Sequence, residues 1–159
     1  MAVIYRIKKS IQYLCEKFGS NKGEYFAFPT LQELKKATVQ DYKNVGLGYR
    51  AEQLYSTIKN LTNNDIDNIV NLSTEEQFKF LVSLKGVGEK VANCVMLFGL
   101  GVMNSFPVDT WINKVYNKLT NSISTDRKKI TKELTARYGD LSGYAQQYFF
   151  YYFRENKIS

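Results

Sequence analysis

Leu84-Lys85-Gly86-Val87-Gly88-Glu89-Lys90 is the stretch that decides the fold, and Phe106-Pro107-Val108-Asp109-Thr110-Trp111 complements it, placing Asp109 nineteen residues after Lys90. The first stretch joins two helical runs through a Gly-Val-Gly corner and sets a lysine in the first turn of the second run. Glycine permits a positive φ and lets another backbone come close. The amides of such a turn lie at a helix N-terminus and point outward together, so they can hold a phosphate oxygen without reading sequence. Taken alone, a G-x-G turn is more often an ordinary helix–helix connection; Lys90 and the residues after it change the balance.

Working outward, nearly every segment reads as helix. From Ile4 to Phe18, Ile4, Ile7, Ile11, Leu14, Cys15 and Phe18 recur at helical spacing, and Gly19 stands where a C-terminal glycine belongs. Residues 20–29 form a loop with aromatics. Thr30 caps a short helix through Ala37, and Thr38 with Asp41 resembles a capping box for the next. Gly46-Leu47-Gly48 breaks that helix, Tyr49 to Leu61 is helical again, and Asn63 to Leu72 is short. Ser73 and Glu76 open a helix to Leu84. Lys90 to Phe98 is apolar nearly all round and is expected to be a central, buried helix. Helices follow at 109–119, 125–138 and 141–154. No alternating strand pattern, internal repeat or flexible linker interrupts them, so the chain reads as all-α.

The chain has 159 residues, long enough for a real core as one domain or two small lobes. Its 22 Lys and Arg against 15 Asp and Glu give a net charge of +7, which points to an anionic partner, nucleic acid first, or to a generally basic protein. The absence of His excludes His-ligated zinc and His-based acid–base catalysis. Two cysteines, Cys15 and Cys94, are too few for an iron–sulfur site held by four thiolates and read as reduced thiols of a cytoplasmic protein. No apolar run is long enough to span a membrane, and no signal-peptide pattern opens the sequence.

Lys90 occupies an unusual place for a structural lysine. The positive end of a helix disfavours an ammonium, and any desolvation adds to that, favouring the neutral amine that acts as a nucleophile. Cys94 lies one turn further on the same face. Asp109 precedes a helical run and can cap its first amides, which by itself explains the residue type. A capping carboxylate is also held rigidly, and it can stabilise developing positive charge. The ordinary alternatives, a solvated surface lysine and a purely structural cap, stay open on residue type alone.

Five motifs in order carry a resemblance: Leu14-Cys15-Glu16-Lys17-Phe18-Gly19, Gly46-Leu47-Gly48-Tyr49-Arg50-Ala51, Gly86-Val87-Gly88-Glu89-Lys90-Val91-Ala92-Asn93-Cys94, Pro107-Val108-Asp109-Thr110-Trp111, and Gly143-Tyr144-Ala145-Gln146. Together they resemble the helix-hairpin-helix DNA glycosylase superfamily and, within it, the 8-oxoguanine DNA glycosylase/lyase family, over residues 4–154. The resemblance implies an all-α fold of two helical lobes with a central hairpin at 74–98 and a pocket helix at 141–154, within a single domain, 1–159. It implies base excision repair of oxidised purines in double-stranded DNA holding a damaged base or abasic site. Lys90 would be the Schiff-base nucleophile and Asp109 the catalytic carboxylate. Cys94, Gln146 and Phe150 would line the base pocket. Tyr49, Arg50 and Arg6 would contact the orphaned opposite base, and Lys85, Gly86, Val87 and Gly88 the DNA backbone. No metal ligand and no iron–sulfur cluster is expected; a monovalent cation at the hairpin is the one ion that the resemblance suggests.

Set against the family pattern, the N-terminal β-rich domain and the first helix or helices are missing, and Lys85 replaces the usual proline before the hairpin. A bare apolar patch is therefore expected, covered by self-association or by a repacked first helix. The alternative to an active glycosylase is a non-catalytic remnant that holds DNA through the hairpin without forming a base pocket. A basic helical interaction protein unrelated to DNA is a third reading.

Overall fold

In the computed structural model, which describes residues 2–155, ten α-helices form and no strand does among those residues, apart from one isolated bridge between Asn21 and Phe26. The chain divides into two compact units. One comprises residues up to Asn71 together with Leu84–Gly86; the other comprises Leu72–Ser83 and the residues from Val87 onward. No described helix is long and apolar enough to cross a membrane.

The first unit contains α1 (Ala2–Phe18), α2 (Leu31–Leu34), α3 (Val39–Asn44), α4 (Arg50–Asn60) and α5 (Asn63–Asn68), the last continuing into a 3-10 turn at Ile69–Asn71. Side chains define where these short helices start. Thr30 with Glu33, Thr38 with Asp41 and Thr62 with Asp65 each form a reciprocal capping box, in which the threonine oxygen accepts from the third helical amide and the acid accepts from the threonine amide. Helices of four to six residues gain little from propensity, so these caps and the packing of Leu14, Ala37, Tyr42, Val45 and Ala51 hold them. Tyr42 is fully buried and donates to the Leu34 carbonyl at 3.0 Å; Ser10 Oγ ties α1 to the Val45 carbonyl at 2.8 Å.

Two expectations shift in this unit. The apolar stripe of α1 is only partly used: Leu14 is buried, whereas Ile4, Ile7 and Ile11 stand about half exposed, at 53%, 53% and 46%. Gly19 is required for space and not for a left-handed turn. A Cβ there would sit 1.9 Å from the Ala27 carbonyl oxygen and 2.7 Å from that of Cys15.

The second unit contains α6 (Thr74–Ser83), α7 (Glu89–Gly99), α8 (Thr110–Thr120), α9 (Arg127–Tyr138) and α10 (Ser142–Glu155), with a 3-10 turn at Gly139–Leu141. Ser73 and Glu76 form the expected box at the start of α6. Asp109 caps α8 and Asp126 caps α9. The core is Phe106, Val108, Ile112, Ile130 and Leu134, with Tyr138 and Phe149 packed against it. Gly143 lets α10 start tight against its neighbours, donating its amide to the Met103 carbonyl at 2.7 Å, with Leu97 of α7 filling the space where a Cβ would be.

The expectation of a fully buried α7 is corrected. Ala92, Met96 and Leu97 face inward, but Val91, Val95 and Phe98 form an exposed stripe one helical face away. Composition made the helix look buried; the placement of its neighbours on one side left the other side in solvent.

Two measurements check these assignments. Gly19→Ala is expected to destabilise the protein by about 1–3 kcal/mol in chemical denaturation, because the backbone at Ala27 must move to admit the methyl group. Asp41 accepts from Lys17 Nζ and from the Thr38 amide and hydroxyl, which lowers its carboxyl pKa to about 2. A native value below the unfolded ~3.9 means that this stabilisation is complete above the unfolded value and is lost as pH falls through about 2. A carboxyl-carbon NMR titration of Asp41 should give that midpoint, and Lys17→Met should raise it.

Candidate active site

The hairpin is built by α6, the 84–88 corner and α7. In the first unit, Gly86 has φ +86°, and a Cβ on it would lie 2.8 Å from the Gln53 side chain of α4, so both its dihedral and its surroundings call for glycine. The Lys85 carbonyl accepts from Thr57 Oγ1 at 2.9 Å, which holds the corner although no proline precedes it; the Lys85 side chain itself is exposed. In the second unit, Gly88 is the N-cap of α7 in an extended conformation and offers no side-chain acceptor. The first intrahelical bond there runs from the Ala92 amide to the Gly88 carbonyl, at 2.9 Å, so the amides of Glu89, Lys90 and Val91 have no acceptor within the helix.

Lys90 stands in this first turn. It is exposed and forms no ion pair or hydrogen bond among the described residues. It lines a depression of about 270 Å³ together with Gly88, Glu89, Asn93, Val108, Arg127 and Thr131. Burial by the fold alone does not supply the desolvation considered for this amine; anything that strips its water must come with a ligand.

Asp109 directly follows Val108, which is buried in the core of the unit. Its Oδ1 accepts from the Ile112 amide at 2.8 Å. The carboxylate is thereby fixed at the positive end of α8 and is half-exposed; Val108 lines the Lys90 depression, and Asp109 does not.

What sets the relation of α7 to the Asp109 segment is a contact not anticipated from the sequence. Ser105, almost fully buried, donates through Oγ to Asn93 Oδ1 at 2.8 Å, while Asn93 Nδ2 donates to the Glu89 carbonyl at 2.9 Å. One asparagine thus ties the first turn of α7 to the strand-like stretch entering α8. Around it, Lys128 Nζ meets Glu89 Oε1 at 2.6 Å, and Arg127 Nη2 donates to Thr110 Oγ1 at 3.1 Å. Asn93 lies within the quoted hairpin motif but was given no role there, and Ser105, Arg127 and Thr131 carried no motif signal; their roles depend on contacts with segments distant in sequence.

The remaining candidates fall elsewhere. Cys94, a free thiol, is half-buried and does not line the Lys90 depression; Asn93 takes that place. Gln146 is buried on α10, where its Oε1 accepts from Gln147 Nε2 at 2.6 Å. Phe150, one turn on, packs against the core, with the Arg154 guanidinium 5.6 Å from its ring centre. Neither lines that depression. In the first unit, Tyr49 is 72% exposed at the start of α4, and the Arg50 guanidinium stacks 5.0 Å from its ring centre. Arg6 is exposed on α1. Among the described residues, no group of three or more His, Cys, Asp and Glu side chains is placed to hold a metal ion.

Comparison with known proteins finds similarity over most of the chain. The N-glycosylase/DNA lyase of Saccharomyces cerevisiae is 33% identical over 156 residues, covering 87% of this chain and 41% of that protein. The N-glycosylase/DNA lyase OGG1 of Arabidopsis thaliana is 27% identical over 168 residues, covering 92% of this chain and 45% of that one. The Clostridium acetobutylicum 8-oxoguanine glycosylase/lyase, solved with double-stranded DNA containing cytosine opposite 8-oxoG, matches with a TM-score of 0.86 and 39% identity over 97% of this chain and 55% of that one. The chain therefore spans about half the length of the curated relatives it matches. The model of the HhH-GPD superfamily of base excision DNA repair proteins matches residues 4–139, more than half of the sequence, and the chain belongs to that superfamily.

Proposed function

We propose that this chain is a base-excision DNA glycosylase with AP-lyase activity on oxidised purines such as 8-oxoguanine, working in the cytoplasm on double-stranded DNA. The observation that carries the reading is the placement of Lys90: an unpaired amine in the first turn of a helix without a side-chain cap, lining a depression that also includes Val108, the residue before the α8 cap Asp109. The names of the relatives and the DNA complex of the clostridial enzyme support it.

In this mechanism the Lys90 Nζ lone pair attacks the anomeric carbon of an extruded nucleotide, and the glycosidic bond breaks with its electrons leaving on the base. Asp109 stabilises the positive charge that develops on the sugar. The amine nitrogen loses its proton, the sugar ring opens and an imine forms. Loss of a C2′ proton then expels the 3′ phosphate by β-elimination and nicks the strand. Extruding the nucleotide costs a few kcal/mol, offset by contacts to the free base. The same extrusion covers the exposed amine and supplies the desolvation that favours its neutral form. Gln146 offers a donor and an acceptor to a base edge, Phe150 a stacking face, and Cys94 a further pocket wall; Tyr49, Arg50 and Arg6 serve the opposite base. The open corner at 85–88 holds backbone phosphate.

A second reading is favoured by one observation: Cys94, Gln146 and Phe150 do not share the depression that Lys90 lines. On that reading the chain holds DNA but lacks a working base pocket.

Borohydride trapping on duplexes holding an abasic site or 8-oxoguanine opposite cytosine separates the two. The wild type should give a covalent adduct that Lys90→Gln abolishes; binding without any adduct selects the second reading. Asp109→Asn keeps a good helix cap, so it should spare folding and DNA binding while slowing base release by orders of magnitude in single-turnover assays. Unchanged base release would remove Asp109 from the mechanism.

A further inference from the structure

We propose that Arg127 is a phosphate ligand of the Lys90 depression, gripping the backbone beside the sugar that Lys90 engages; this rests on the glycosylase reading above. Arg127 is the first residue of α9, and its side chain lines the same depression as Lys90 and Gly88. One of its donors is committed, to Thr110 Oγ1 at 3.1 Å, and Thr110 is the residue after Asp109. That single bond tethers the guanidinium near the start of α8. An arginine side chain has five N–H donors in a planar fork, so four are left.

The charges around Arg127 make those donors available to a ligand. Among the described residues Arg127 forms no ion pair. The nearby acids are engaged elsewhere. Glu89 is paired with Lys128 at 2.6 Å, Asp109 accepts from the Ile112 amide at 2.8 Å, and Asp126 accepts from the Lys129 amide at 3.1 Å. The depression therefore presents two cations without an acidic partner, Lys90 and Arg127, among the residues that line it. A lysine that must become neutral to attack cannot also hold an anion as an ammonium. Arg127 is always charged, and its fork matches two oxygens of one phosphate. The arrangement divides the work: the amine serves the sugar carbon and the guanidinium serves the phosphodiester. A purely structural arginine would be expected to meet a carboxylate, and this one meets only a hydroxyl.

The test uses the whole chain and a fluorescent duplex carrying a tetrahydrofuran abasic analogue opposite cytosine, titrated at several salt concentrations. Arg127→Gln is expected to bind roughly tenfold more weakly, with the slope of log affinity against log salt shallower by about 0.9, the loss of one phosphate contact. Arg127→Lys should restore the slope and part of the affinity. Lys129→Gln, a control on the same helix outside the depression, should match the wild type. A methylphosphonate at the contacted linkage, tested separately on the 3′ and the 5′ side, should weaken the wild type and leave Arg127→Gln no weaker than before; whichever linkage does so identifies the phosphate. Wild-type slope in Arg127→Gln, or penalties that add in full at both linkages, would overturn the assignment, as would lost affinity with an unchanged slope, the mark of a structural role. If the wild type is trapped by borohydride and Arg127→Gln is indistinguishable from it in binding, only this assignment falls. If the wild type neither binds nor is trapped, the glycosylase reading falls and takes this one with it.

Discussion

Each helix start exposes amides that need an acceptor, and this chain is organised by how they are answered. Thr30, Thr38, Thr62 and Ser73 answer them with hydroxyls inside capping boxes, and Asp109 and Asp126 with carboxylates. These caps fix where short helices begin in a chain whose individual segments would scarcely be stable alone. At Gly88 the pattern breaks, for the N-cap has no side chain. The amides of Glu89, Lys90 and Val91 there have no acceptor within the helix. The first amides of α7, like those of α4 after Tyr49, are thus left without a side-chain acceptor.

The same requirement makes Asp109 useful. A carboxylate bonded to the Ile112 amide is rigid and oriented before any ligand arrives. Its position relative to α7 comes from the buried residues behind it. The segment 105–108 is buried throughout, Phe106 and Val108 sit in the core, and the Ser105–Asn93 bond ties that segment to α7. Gly143 supports the arrangement from the other side, letting α10 dock on Met103 and Leu97. Local chemistry thus orients the Asp109 carboxylate, while core packing sets the frame that ties its segment to α7.

Electrostatics around the depression follow from pairing. Lys128 answers Glu89, which leaves Lys90 and Arg127 as the cations without an acid. The net charge of +7 is a long-range attraction for anions, and Arg127 adds a local positive charge in the depression that Lys90 lines.

The sequence alone determined the helical architecture, because its signals are local. T-x-x-E and S-x-x-E boxes, apolar spacing and glycines at corners act within one or two turns, and Thr62 with Asp65 is a box legible in the same way. It also marked Lys90 and Asp109, since a lysine after a Gly-Val-Gly corner and an aspartate after Pro-Val are unusual in local terms. Tertiary structure decided the rest. Val91, Val95 and Phe98 look like core by composition but face solvent, because exposure depends on what packs alongside. Gly19 looks like a helix stop but is needed for the close approach of the Ala27 carbonyl. The roles of Asn93, Ser105 and Arg127 gave no signal, although Asn93 lies inside a motif, because their partners lie 12, 12 and 17 residues away, and only folding brings such groups within a hydrogen bond.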